Sequence, residues 1–166
     1  MTDTSGNGGT GGTGGRDLID ITIVDLPLDA YRDTVQHHDE LRREFSLISA
    51  REPSPGHGVP ARLNELIEEL NERYAGFTAG TQAELDEALA AGKTTITLVF
   101  RVPVQVKDAV IELIAMLREA DEFCRHGDLL TMAPPRDAVR FREWYLGEFV
   151  RQVDGEPPLL WADYME

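Results

Sequence analysis

The sequence has a single cysteine, Cys124, and few basic residues. One cysteine cannot form a disulfide within the chain, which favours a reducing compartment such as the cytoplasm. Sixteen lysines and arginines face 30 aspartates and glutamates, for a formal net charge of −14. Because phosphate backbones and anionic lipids attract clustered basic residues, this charge argues against nucleic-acid and membrane-surface binding. No apolar run approaches the ~18 residues of a membrane helix, so we expect a cytoplasmic protein.

The first sixteen residues, MTDTSGNGGTGGTGGR, contain seven of the fifteen glycines. This composition predicts a disordered leader over residues 1–16. Residues 6–11 match G-x-G-x-x-G, but the strand and helix that a dinucleotide site requires do not flank them. The rest of the chain is long enough to bury one hydrophobic core. We expect a single domain over residues 17–155 and a C-terminal tail over residues 156–166.

Alternating apolar residues predict the strands. In residues 19–23 and 96–102 every second side chain is apolar, and these side chains lie on one face of the strand. The short run DLLTM, at 128–132, could form a third strand. A helical crossover between the second and third strands would make that pair parallel.

Apolar residues at helical spacing predict the helices, which are much longer than the strands. Residues 28–49 and 104–125 and the segment after Pro135 each carry an apolar stripe. Between the first two strands, Gly76 ends a second helix, and a capping box at Thr81 begins a third. The element order predicts an α+β fold, mostly helical, in which a small sheet of about three strands is covered by long helices in two layers.

The stretch HHDE in the first predicted helix raises the question of catalysis. His37 shares a helix face with Asp33, Glu40 and Glu44, a spacing that can supply ligands to one metal ion. Such sites draw ligands from several helices, and no other helix shows a matching motif. The preferred interpretation is a solvent-exposed face whose carboxylates favour protonation of His37. His38 falls on the apolar stripe and is expected to be a hydrogen-bonded core residue.

The stretch DEFCRHGDLL offers a second candidate, because Cys124, His126 and Asp128 alternate along it. They could be a nucleophile with its base, or metal ligands. A helix end explains them more simply, since Arg125 and His126 suit the negative end of the helix dipole and Gly127 suits the closing turn. A reactive thiol would preferably lie at a helix N-terminus, so we expect Cys124 to be structural.

The last predicted helix carries two aromatic residues, Phe141 and Trp144, that project away from the centre of its buried face. Spaced three apart, they would form a local apolar patch. In one interpretation, the C-terminal segment with Trp161 folds over the patch. In the other, Phe141, Trp144 and Trp161 form a surface that binds a partner. The sequence leaves both open.

Four stretches together resemble a family of actinobacterial proteins of uncharacterised function, from residue 17 to 161. They are LPLDAYRDTVQHHDELRREFSLI, ELNERYAGF, ADEFCRHGDLLTMAPP and FREWYLGEFVRQVDGEPPLLW. The resemblance implies an association with partner-switching gene clusters, which hold anti-sigma kinases, STAS-domain antagonists and PP2C-type phosphatases. It implies no catalytic residues, because the chain has neither the ATP lid of such kinases nor the spaced aspartates of the phosphatases. An accessory role is the expectation.

Two functions therefore remain open. The preferred one is a non-catalytic cytoplasmic interaction and regulatory module that uses no cofactor and binds a protein partner or a second copy of itself. The alternative is a small metal-dependent enzyme or metal-binding protein, in which His126 or Asp121 completes the set of His37, Glu40 and Glu44. The two differ in whether His37 lies close to a second group of ligands.

Overall fold

The computed structural model describes residues 17–51, 58–126 and 130–166, apart from the side chains of 48–51 and 58–61. The predicted leader and Asp128 lie outside these residues. The fold is mostly helical with a small sheet, in agreement with the predicted α+β class. In chain order the elements are β1 (Leu18–Pro27), α1 (Leu28–Arg51), α2 (Gly58–Ala90), β2 (Thr95–Pro103), α3 (Val106–His126), α4 (Arg136–Val153) and α5 (Trp161–Tyr164).

The two strands form an antiparallel pair with a bulge in β1. Register runs from Leu18 opposite Pro103 to Pro27 opposite Thr95 and shifts between Ile23 and Leu26. Strict alternation would point Asp25 at the core, because Ile21 and Ile23 are buried. Asp25 instead has a φ of 49°, and the extra residue returns the inward position to the buried Leu26.

The prediction of a third strand is wrong for the part of DLLTM that the structure describes. Residues 130 and 131 form a bend, residue 132 has no regular secondary structure, and within the described residues β1 pairs only with β2. The backbone N–H groups of Leu130 and Thr131 donate to the carboxylate of Glu44 and not to a strand. Leu130 and Met132 are 95% and 83% exposed, so the described part of the run is not a core strand and takes no part in a parallel pair.

The predicted break at Gly76 is also wrong, because α2 is one continuous helix. A glycine inside a helix costs only about 1 kcal/mol relative to alanine, and buried residues on both sides, Tyr74 and Leu85, pack in the same core cluster. Thr81 is not a helix cap: its hydroxyl donates to the carbonyl of Val99 at 3.0 Å. The helix ends before Gly92, which has the positive φ (69°) typical of such a position.

The buried apolar side chains form two clusters. The first packs the inner face of the sheet against α2, α3 and α4, and includes Ile21, Leu98, Phe100, Phe141 and Trp144. The second lies where α1, α2 and α3 meet, and includes Leu41, Phe45, Leu63, Leu117 and Cys124. Residues of both clusters border one cleft. The candidate site therefore lies where the two parts of the core meet.

Candidate functional site

A cleft of about 310 Å³ opens between α1, α2, α3 and α4. Helix α1 contributes Tyr31, Thr34, Val35 and His38, whose spacing of three and four residues places them on one face. Asp39 and Arg42, one turn further along, also border it. The rest of the wall is mainly apolar, with Ile67 from α2, Leu113 and Leu117 from α3, and Phe141, Tyr145 and Leu146 from α4.

Two polar groups in this wall have no hydrogen-bond partner. Thr34 Oγ1 and His38 Nε2 are both buried and unpaired within the described part of the chain. Buried polar groups in proteins are nearly always hydrogen-bonded, because desolvation without a partner costs free energy. Since Thr34 and His38 are four residues apart on one helix, they are neighbours on its surface. Both residues border the cleft, but the two unpaired atoms are themselves enclosed and do not reach its open space.

The imidazole of His38 is uncharged at neutral pH. Burial lowers its pKa to about 4; the positive charges of Arg142 and His37 act in the same direction, and Asp121 opposes them. In the neutral ring one nitrogen donates and the other accepts a hydrogen bond. The His38 residue as a whole is partly buried, so the predicted core position agrees with the structure only in part. Its predicted hydrogen bonding does not hold for Nε2.

A buried ion pair lies beside the cleft. Arg142, which lines the cleft, donates two hydrogen bonds to Asp121, and Nη1 to Oδ1 measures 3.1 Å. Each side chain is only 4% exposed. This two-bond geometry matches the guanidinium fork to a carboxylate. The motifs in the sequence did not indicate this pair. Asp121 does lie on the apolar stripe of α3, between Leu117 and Cys124, and an acid at such a position is a signal of a buried partner.

Two of the proposed metal ligands on α1, Glu44 and Glu40, have other partners. Glu44 accepts hydrogen bonds from the backbone of Leu130 and Thr131 and from Thr131 Oγ1, and Glu40 accepts one from Gln36. Burial alone would raise the pKa of Glu44, but these three hydrogen bonds outweigh it, so its pKa is lowered. Among the residues that the structure describes, no three His, Cys, Asp or Glu side chains converge as a metal site requires.

The sequence suggested that His37 lies on a solvated face, but the structure does not place it on a fully solvated one. Its side chain is partly buried, and Nε2 is enclosed with no partner in the described ranges. Burial lowers its pKa; Asp121 and Glu40 raise it, and Arg142 lowers it further. Glu40 thus favours protonation of His37, as expected, but burial outweighs the carboxylates and the pKa is lowered. Asp121 does come near His37, but its carboxylate is bonded to Arg142.

The thiol of Cys124 is buried at the C-terminal end of α3. Burial raises its pKa to about 11, and the negative charges of Asp121 and Glu44 contribute in the same direction. Nδ1 of His126 lies 2.7 Å from the backbone carbonyl oxygen of Glu122. The thiol is thus protonated at neutral pH, which suits a structural role better than a nucleophilic one.

The aromatic residues predicted to project from α4 are buried. Phe141 is 1% and Trp144 2% exposed. The ring of Trp161 lies 5.7 Å from Phe141 and 5.5 Å from Trp144 between centroids, and Trp144 Nε1 donates to the carbonyl of Leu159 at 2.9 Å. Placing Phe141 and Trp144 off the buried face was wrong, because α4 packs on two sides. The alternative, coverage by the C-terminal segment, is confirmed, so the supposed tail packs with the domain.

No protein-family model, curated protein or solved structure matches this chain. The resemblance to an actinobacterial family, and the accessory role that it implies, therefore stay predictions. Within the described segments, each helix is too short or too polar to cross a bilayer.

Proposed function

We propose that this protein is a non-catalytic regulatory module that acts by binding, with the four-helix cleft as its site for a small molecule. The observation that carries the proposal is the mainly apolar wall of the cleft, which a few polar and charged side chains interrupt: Thr34, His38, Asp39, Arg42, Asn71 and Arg142. Ligand sites in proteins are mostly apolar clefts of about 300–1,000 Å³ with a few polar groups that orient the ligand. The cleft, at about 310 Å³, lies at the lower end of that range.

The bonding of the other candidate groups supports binding over catalysis. The carboxylate of Glu44 holds the backbone at Leu130 and Thr131, and the thiol of Cys124 is protonated at neutral pH. Asp121 is committed to Arg142. A catalytic acid, base or nucleophile needs a free reacting atom and a suitable pKa. The implied partner-switching association supports a regulatory role, in which occupancy of the cleft alters binding to a protein partner.

Probe binding with a blocked cleft tests the proposal. Val35 borders the cleft and is 38% exposed, so Val35→Trp has room at the mouth and should obstruct it. The matched control is Val99→Trp, at a 50% exposed position of β2 that does not border the cleft. We expect p-xylene and p-cresol, measured by NMR titration, to bind the unaltered protein and Val99→Trp equally.

The blocked variant should bind both probes at least about tenfold more weakly. Circular dichroism and amide NMR spectra of each variant check that the fold is retained. Equal binding by Val35→Trp, or no binding of either probe to the unaltered protein, would contradict the cleft as the binding site.

A further inference from the structure

We infer that the ligand of the cleft is a small zwitterion with an aromatic side chain, the class to which the free aromatic amino acids belong. Its ammonium group would lie at Asp39, its carboxylate at Arg42 and its ring against the apolar wall. This inference rests on the proposed function and names the class of ligand for the same site. It follows from the opposite charges at the rim, the size of the cleft and the position of its aromatic residues.

Two opposite charges lie at the rim of the cleft without pairing with each other. Asp39 is exposed and Arg42 half-buried, and both border the cleft. Side chains three residues apart on a helix can form an ion pair, as Asp29 and Arg32 do on the same helix at 3.3 Å. Within the described ranges, Asp39 and Arg42 form no ion pair with each other or with another side chain. The rim therefore keeps one carboxylate and one guanidinium available to a ligand.

A zwitterionic head group gains from both rim charges. An ammonium group suits the carboxylate of Asp39, and a carboxylate suits the planar fork of the Arg42 guanidinium. A singly charged ligand matches only one of the two, and a neutral polar group forms weaker bonds with either, because charge-assisted hydrogen bonds are roughly twice as strong as neutral ones. Asp39 and Arg42 also border an adjoining hollow lined by Asn64 and Glu68. A head group held between them stays near solvent, so its charges need not be fully buried, which would be costly.

The rest of the wall suits a single ring. A cavity of about 150 Å³ lined by apolar side chains is enough for benzene, and this cleft, at about 310 Å³, also has room for a short chain that joins the ring to its head group. Three wall residues form an aromatic group: the ring centroids of Tyr31 and Tyr145 lie 6.0 Å apart, and those of Phe141 and Tyr145 lie 6.1 Å apart. Such rings offer faces and edges to a flat molecule.

The aromatic group and the rim charges lie at different positions along α1. Tyr31 precedes Asp39 by eight residues, which is about 12 Å along the helix axis. The cleft therefore has an aromatic part and a charged part, and a ring with a short charged chain can contact both.

The net charge of the protein also acts on charged ligands and has to be separated from contacts at the rim. A net charge of −14 attracts cations and repels anions wherever they bind. Asp29→Asn and Arg32→Gln are the matched controls, because they change the net charge by the same amount, on the same helix and at the same spacing, without bordering the cleft. Salt at about 0.15 M limits the reach of the remaining field to about 8 Å.

The test compares three probes that share a phenyl ring and a two-carbon chain, by NMR titration in this salt. L-Phenylalanine carries both charges, phenethylamine only the ammonium group, and 3-phenylpropanoate only the carboxylate. We expect L-phenylalanine to bind the unaltered protein about twofold to fivefold more tightly than either of the other two, the effect of one partly exposed ion pair.

Two variants assign the charges of the ligand to the rim residues. Asp39→Asn should weaken L-phenylalanine and phenethylamine by about twofold to fivefold and leave 3-phenylpropanoate as it is in Asp29→Asn. Arg42→Gln should weaken L-phenylalanine and 3-phenylpropanoate and leave phenethylamine as it is in Arg32→Gln. Neither rim side chain forms an ion pair within the described residues, so the fold should be retained, and amide NMR spectra of each variant check this.

The outcomes distinguish the two proposals. If neither p-xylene nor p-cresol binds, the proposed function fails, and the inference that rests on it fails too. If these two bind but L-phenylalanine does not, or binds no more tightly than the singly charged probes, the cleft remains the site and the zwitterion class is wrong. A response to only one of the rim variants would indicate a singly charged ligand and also overturn the inference. Responses to both, each with its own pair of probes, support it.

Discussion

Replacing Glu148 by alanine should destabilise the protein by about 3–5 kcal/mol, the range for breaking a buried ionic contact. Glu148 is 1% exposed. Its carboxylate accepts hydrogen bonds from Arg151 Nη1 at 2.7 Å, from Gln152 Nε2 at 2.9 Å and from the backbone N–H of Leu159 at 2.9 Å. Alanine would remove three hydrogen bonds to a charged group, each of which contributes about 1.5–3 kcal/mol. Arg151 keeps Glu156 and Gln152 keeps the Thr22 carbonyl as acceptors, whereas the N–H of Leu159 loses this partner.

Urea unfolding followed by tryptophan fluorescence measures the loss, because Trp144 and Trp161 are the two tryptophans of the chain and both lie in this region. Glu122→Ala is the control, since Glu122 forms an exposed ion pair with Arg125 and should cost less than about 1 kcal/mol. A loss for Glu148→Ala as small as that of the control would refute the reasoning.

A truncation after Gly155 tests whether Glu148 stabilises the protein by holding the C-terminal segment. The truncation removes Leu159 and Trp161 and should expose Trp144, which shifts its fluorescence to longer wavelength. Because Glu148→Ala and the truncation break the same contact, their combined effect should be smaller than the sum of the two. Full additivity would show that Glu148 acts through other contacts.

Two further predictions concern protonation. His38 has a pKa of about 4 in the folded protein and an ordinary value of 6.5, so between these limits the unfolded chain binds more protons and stability falls as pH falls. The loss of unfolding free energy should reach at most about 3 kcal/mol. Urea titrations at pH 7, 5.5 and 4.5 measure it, and His38→Phe should remove it. If the dependence of unfolding free energy on pH were the same in His38→Phe, the burial of the ring would be contradicted. The thiol of Cys124, with its pKa raised to about 11 by burial, should react with a disulfide reagent at pH 8 at least about tenfold more slowly in the folded than in the urea-unfolded protein.

Most of the fold could be predicted from the sequence because its signals are local. The alternation of Ile96, Leu98 and Phe100 predicts β2, and the stripe from Val106 to Cys124 predicts α3; both agree with the structure within a few residues. The errors arose where tertiary contacts outweigh local preference. Gly76 and the capping box at Thr81 favour a break, but packing on both sides keeps α2 continuous.

The candidate site could be predicted only in part. Helical phase correctly places Thr34 and His38 together on the inner side of α1, as the structure has them. The cleft beside them depends on how α3 and α4 pack, which periodicity does not determine. The pairing of Asp121 with Arg142 spans 21 residues and two helices, and the coverage of Trp144 by Leu159 depends on a turn after α4. Each requires distances between elements that are absent from the sequence pattern.

The distribution of unpaired polar atoms gives the strongest reason to place function at α1. Elsewhere in the described chain, buried side-chain polar atoms other than Asn64 Oδ1 have partners even when these are distant: the Gln152 amide bonds to both backbone groups of Thr22. Of the four buried side-chain atoms without a partner in the described residues, three belong to Thr34, His37 and His38, within five residues. Such a concentration in one turn of one helix calls for an explanation specific to that turn. Two of the three residues, Thr34 and His38, also border the cleft, so the unsatisfied groups belong to its wall residues.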